Sequence, residues 1–222
     1  MDAKALVVES PSVPPVSPAH TSLIAVILFL ASHFAMLVGV TSPEKFYFDE
    51  VHYVPAARQM LEQVAREPML NPMHPPLAKQ MIALSINTFG DNPLGWRYPG
   101  TLFGALAIVA VYLGGLALFR AQGPAIAAGL IAFCNQMLFV QSRIAMLDIS
   151  ALAFSLLAVA AFIHGFRERR PHLAFALAGA SSGLSIACKW SGLFVLATCI
   201  VIVAAVRLMQ RLAHAVCRRQ SG

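Results

Sequence analysis

Residues 22–40, SLIAVILFLASHFAMLVGV, followed shortly by residues 46–53, FYFDEVHY, decide the fold class. The first stretch carries no charge and is close to the length that crosses a bilayer as a helix, about 20 residues. The second places two adjacent carboxylates, Asp49 and Glu50, among aromatics at the point where that helix leaves the membrane. Acidic groups at a bilayer boundary are costly unless solvated, paired or used, so they invite a functional reading.

The same pattern of long apolar runs separated by short polar segments continues to the end of the chain. Of 222 residues, 58% are hydrophobic and 12% are charged, and mean hydropathy is +0.70. Soluble domains carry about 25% charged residues. The apolar–polar alternation of a membrane β-barrel is absent. The expected fold is therefore all-α and integral to a membrane, with about six spans. They read as residues 22–40, 99–119, 125–140, 147–166, 172–188 and 191–208, with a tight turn at Gln122-Gly123-Pro124. An outer loop over about residues 41–97 carries two interfacial helices, 55–67 and 77–89, each too short to span. Prolines at 68, 72, 75 and 76 break the chain between them. Residues 1–21, rich in Pro and Ser, read as a disordered cytoplasmic tail, and 209–222 as a basic cytoplasmic tail. Residues 22–208 form one membrane module whose first span is long enough to remain as an anchor.

The net charge of +6 does not point to nucleic acid, because the basic residues fall in short loops. With six spans, Arg120, Arg167, Arg169, Arg170, Arg207, Arg211, Arg218 and Arg219 share one side, which the positive-inside rule makes cytoplasmic. Asp49, Glu50, His74, Arg97, Arg143, Asp148, Lys189 and Trp190 then gather on the opposite face. The cysteines, Cys134, Cys188, Cys199 and Cys217, lie in or beside apolar runs without metal-ligand spacing and read as buried small hydrophobes. Asn135, Gln136 and Ser181-Ser182-Gly183 read as helix–helix packing elements.

Each polar motif has a chemical and a plain reading. Asp49-Glu50 suits a general base or a solvated loop. Lys79, one turn into the helix opened by His74-Pro75-Pro76, suits a phosphate contact or a lysine reaching toward headgroups. His74 suits a substrate hydrogen bond, a metal ligand or a structural role. Arg97 suits a partner for Asp49 or Glu50, or a bidentate fork on phosphate. Arg143 and Asp148 suit an ion pair or substrate contact, and Lys189-Trp190 an interfacial anchor or a phosphate and sugar contact.

Taken in order, Phe48-Asp49-Glu50-Val51-His52-Tyr53, His74-Pro75-Pro76-Leu77-Ala78-Lys79, Gly95-Trp96-Arg97-Tyr98-Pro99, Arg143-Ile144-Ala145-Met146-Leu147-Asp148 and Lys189-Trp190-Ser191-Gly192-Leu193 resemble the protein O-mannosyltransferases, glycosyltransferase family 39 of the GT-C fold. The resemblance runs over about residues 46–193 and covers the amino-terminal half of that longer family. Ala78 stands where the family pattern has Gly. The resemblance implies a donor sugar, typically mannose, on a polyprenyl-phosphate carrier. It implies transfer with inversion to Ser or Thr hydroxyls of a protein on the outer or luminal face. Asp49, with Glu50 beside it, is then the expected base or acceptor-orienting carboxylate. Arg97 and Lys79 are expected near the carrier phosphate, with His74, Arg143, Asp148 and Lys189 as further substrate or carrier contacts. No metal site is assigned, and a divalent metal is left open. The expected location is a bacterial inner membrane with the active site facing the periplasm. The alternatives are a lipid acceptor, as in the aminoarabinose transferases, or a short carrier-binding subunit without catalysis, paired with a second polytopic subunit.

Overall fold

A computed structural model describes residues 17–62, 68–167 and 171–220, without the side chains of residue 210 and residues 212–220. The described residues form helices α1 (Pro18–Leu37), α2 (Glu50–Glu62), α3 (Leu77–Phe89), α4 (Pro93–Phe119), α5 (Gln122–Phe133), α6 (Gln136–Gln141), α7 (Leu147–Gly165), α8 (His172–Cys188) and α9 (Gly192–Gln220), with no strand among them. Four stretches are long and apolar enough to cross a membrane: α1, α4, α7 and Gly192–Met209 of α9. The apolar helices α5 and α8 are shorter. Large apolar side chains such as Val26, Ile131, Leu173 and Phe194 stay exposed on the bundle, as a lipid-facing surface requires.

Helix α4 is the axis of the bundle, packed against α1, α3, α5 and α7. Its start is built locally. The Asn92 side chain accepts from the Leu94 and Gly95 amides, and Pro93 opens the first turn, where a missing N–H costs nothing. It ends where Arg120 turns left-handed. Helix α1 runs antiparallel to it. At one end Gln122 joins Tyr112 of α4 to Thr21 of α1. At the other, Arg97 donates to the Val40 carbonyl just past α1.

Several boundaries differ from the sequence reading. Helix α1 starts at Pro18, so the last residues assigned to the amino-terminal tail are helical; residues 1–16 lie outside the described residues. The first interfacial helix begins at Glu50 rather than residue 55, and residues 63–67 of its expected range also lie outside the described residues. Gln122-Gly123-Pro124 is the first turn of α5, not a loop. The run 125–140 is not one helix. Asn135 takes an extended conformation and caps α6 by accepting from the Leu138 amide, so a polar cap divides the run. Asn135 and Gln136 are exposed rather than packed. Cys188 is buried as expected, whereas Cys134 is exposed. The backbone of α9 stays helical through Gln220, so the basic segment prolongs the last span.

The break after α5 returns the chain to α4 at close range. A Cβ on Gly100 would lie 2.7 Å from the Ser142 carbonyl oxygen, so only glycine allows this approach. Gly104 packs as tightly against the Ser142 side chain. The segment held there, residues 142–146, leads into α7 and carries a contact on which the polar end depends. Gly100→Ala is expected to destabilise the folded protein by about 1–3 kcal/mol, the usual cost of overpacking. A lowered thermal midpoint of the detergent-solubilised chain checks it.

Candidate functional site

The chain leaves α1, passes Lys45 and Tyr47, and reverses at Phe48, whose φ of 54° is unusual for a bulky residue. That reversal leaves the Phe48 side chain exposed and turns Glu50 into the protein, fully buried at the start of α2. There Glu50 meets Arg97, also buried. Arg97 Nε donates to Glu50 Oε1 at 2.7 Å and Nη2 to Oε2 at 2.8 Å. The other Arg97 donors are spent on carbonyls. Nη1 donates to Val40 and Pro43 at 2.9 and 2.8 Å, and Nη2 to Lys45 at 3.2 Å. Glu50 is equally satisfied, since Oε1 also accepts from the Ala145 amide at 2.9 Å and Oε2 from the Tyr47 amide at 2.8 Å.

Of the two roles open to Arg97, the geometry shows the pairing with Glu50. No guanidinium N–H remains for a carrier phosphate, and no Glu50 lone pair remains for an acceptor proton. The pair clasps the loop after α1, the start of α2, the first turns of α4 and the approach to α7. A buried charge stripped of its partner costs about 3–5 kcal/mol. Arg97→Lys keeps the charge but loses the fork, so it is expected to lower stability by that order and to reduce the yield of folded protein. A purely phosphate-binding arginine would instead leave stability intact. Thermal unfolding in detergent separates the two, and Glu50→Leu combined with Arg97→Met should recover part of the loss.

Lys79 is likewise interior. Its side chain is fully buried, and Nζ donates to the Asn71 and His74 carbonyls at 2.7 and 2.9 Å. It is a strut for the loop before α3 rather than an exposed phosphate contact. Burial pushes its pKa below the ordinary lysine value. The unfolded chain then binds more protons than the folded one between the lowered value and 10.5, so stability rises with pH across that window. Stability profiles of the wild type and Lys79→Met should therefore diverge in the wild type's favour as pH climbs toward 10.5. Parallel profiles would contradict this.

Asp49 differs from its neighbour. It is half-buried, and its carboxylate makes no hydrogen bond or ion pair among the described residues. One turn on, Tyr53 is buried, and its hydroxyl is pushed up to about 12, first by burial and then by the negative charges of Asp49 and Asp148. Tyr53 therefore stays protonated, a donor close to both carboxylates. Its ring meets that of His74 edge-on at 6.3 Å, and His74 Nδ1 is buried without a partner. Asp148, in the first turn of α7, pairs with Lys189 at 2.6 Å, and both remain partly exposed. The Trp190 indole N–H donates to the Met73 carbonyl and ties the α8–α9 corner to the His74 loop. Arg143 does not pair with Asp148. Its Nη2 donates to the Val38 carbonyl, its guanidinium lies over Phe139, and Nε is buried without a partner.

The structure thus brings Asp49, His74 and Asp148 around Tyr53, with Lys189 held on Asp148. It places Lys79 behind the loop and Arg143 at the end of α1. The sequence reading did not single out Tyr53, although its i+4 spacing from Asp49 puts the two on one helix face. Among the described residues no three His, Cys, Asp or Glu side chains gather as a metal-ligand set.

This arrangement defines a polytopic all-helical membrane protein with a polar site at one end of its bundle. The dolichyl-phosphate-mannose-protein mannosyltransferase model matches residues 87–221, and the chain belongs to that family. It is 31% identical over 209 residues to a polyprenol-phosphate-mannose–protein mannosyltransferase of Corynebacterium glutamicum, covering 80% of this chain and 40% of that protein. To the Mycobacterium tuberculosis protein of the same name it is 30% identical, over 76% of this chain and 37% of that protein. To protein O-mannosyltransferase 1 of Drosophila pseudoobscura pseudoobscura it is 27% identical, over 77% of this chain and 21% of that protein. The chain spans about 40% or less of the length of these relatives.

Proposed function

We propose that this chain acts in the transfer of mannose from a polyprenyl-phosphate carrier to Ser or Thr hydroxyls of a protein acceptor, with inversion. The observation that carries the reading is Asp49, the carboxylate left unpaired beside a neighbour whose every acceptor is engaged. In this reading Asp49 takes the proton of the acceptor hydroxyl while that oxygen bonds to the anomeric carbon. The bond from that carbon to the carrier phosphate oxygen breaks on the opposite side, and the phosphate leaves with the electron pair. Lys189, held by Asp148, and Arg143 supply positive charge at the same end, where it would stabilise the leaving phosphate. Arg97 and Lys79 serve by holding the loops. His74 and the Tyr53 hydroxyl offer hydrogen bonds to the sugar or the acceptor. The site faces the side away from the arginine-rich loops, which the positive-inside rule makes the periplasmic face of a bacterial inner membrane. The family membership favours a protein acceptor over a lipid one.

Asp49→Asn is expected to lower transfer from radiolabelled polyprenyl-phosphate-mannose to a Ser/Thr-rich peptide by about 10²–10⁴-fold, with membrane insertion unchanged. Full turnover in that variant would remove Asp49 as the base. A wild-type chain that binds the carrier but labels no peptide would remove the catalytic reading of this chain.

A further inference from the structure

An open groove lies away from the polar site, beside helix α9. Helix α9 leans on α7 and α8, yet only 6% of its apolar stretch is buried. The groove, of about 600 Å³, is lined by Phe162, Phe175, Gly179 and Val203 and bounded by Arg207 and Arg211. The two arginines are one helical turn apart and so share a face of α9. Both are exposed, and neither has an ion pair or hydrogen bond among the described residues. A Cβ on Gly179 would meet nothing within 4 Å, so the groove wall is open at that position. A second groove of about 510 Å³ along α9 has Arg167 on its edge, so the same end of the bundle gains a third cation.

We infer that the Gly179–Arg207–Arg211 groove binds an anionic phospholipid, with an acyl chain along the apolar lining and the headgroup phosphate on the two guanidiniums. The charge decides the occupant. A neutral apolar helix laid in the groove would cover two guanidiniums without supplying a counter-charge, at a desolvation cost. A lipid phosphate supplies that charge at the depth where headgroups lie, and guanidinium forks suit it. The site is on the arginine-rich end, opposite Asp49.

The test is native mass spectrometry of the full chain, released from detergent after incubation with equal phosphatidylglycerol and phosphatidylcholine. The wild type is expected to retain phosphatidylglycerol preferentially. Arg207→Gln with Arg211→Gln should lower that preference by about tenfold or more. Gly179→Leu, which narrows the groove and keeps both arginines, should also lower that preference. Equal retention of the two lipids would overturn the proposal, as would a preference that survives either variant. Retention of a polyprenyl phosphate over phosphatidylglycerol, or a second copy of the chain in place of lipid, would also overturn it. The readout is lipid mass, so its failure and a failure of mannose transfer are separate results.

Discussion

The buried pair between Glu50 and Arg97 is the constraint on which the polar end depends. It gathers contacts from segments far apart in sequence, at Val40, Pro43, Lys45, Tyr47 and Ala145. Burying two charges is expensive, and the cost is offset only when every donor and acceptor finds a partner. Here each does, within 3.2 Å. Such a fully satisfied network has few alternative arrangements, so it fixes the start of α2 relative to α4 and α7. That in turn fixes where Asp49, the residue before the clasp, presents its carboxylate.

Adjacent residues thus take opposite roles. Glu50 faces inward and is consumed by structure, while Asp49 stays half-buried and unpaired. The cations divide similarly. Arg97 donates to Glu50 and to three backbone carbonyls, Lys79 donates to two carbonyls, and both shape the loops. Lys189, held by Asp148, stays partly exposed. The indole of Trp190 and the Nζ of Lys79 fasten the His74 loop from two directions, so that loop is positioned by α3 and by the α8–α9 corner together.

Much of this was legible in the chain. Apolar runs near bilayer length gave the all-helical membrane class, and the charge asymmetry between loops separated two ends that the structure also separates. The five polar motifs pointed to one end and to the family. The run at residues 125–140 was misread because composition alone does not reveal that Asn135 caps a new helix. Arg97 and Lys79 were expected near the carrier phosphate, whereas both are buried against protein partners, because a side chain's type states what it can bond, not what it meets.

What the sequence by itself determined is the set of periodic and compositional facts: where helices are affordable in lipid, which loops carry arginine, and which polar residues sit near membrane boundaries. These follow from local chemistry, since backbone groups in a bilayer must be satisfied within each helix. Only the tertiary structure decided which partners meet. Glu50 and Arg97 are 47 residues apart and Asp148 and Lys189 are 41, and no local rule selects those pairings over Asp49 with Arg97 or Arg143 with Asp148. They are set by close packing of α4 against residues 142–146 at Gly100, and by the turn at Phe48 that sends one carboxylate inward and leaves the other free.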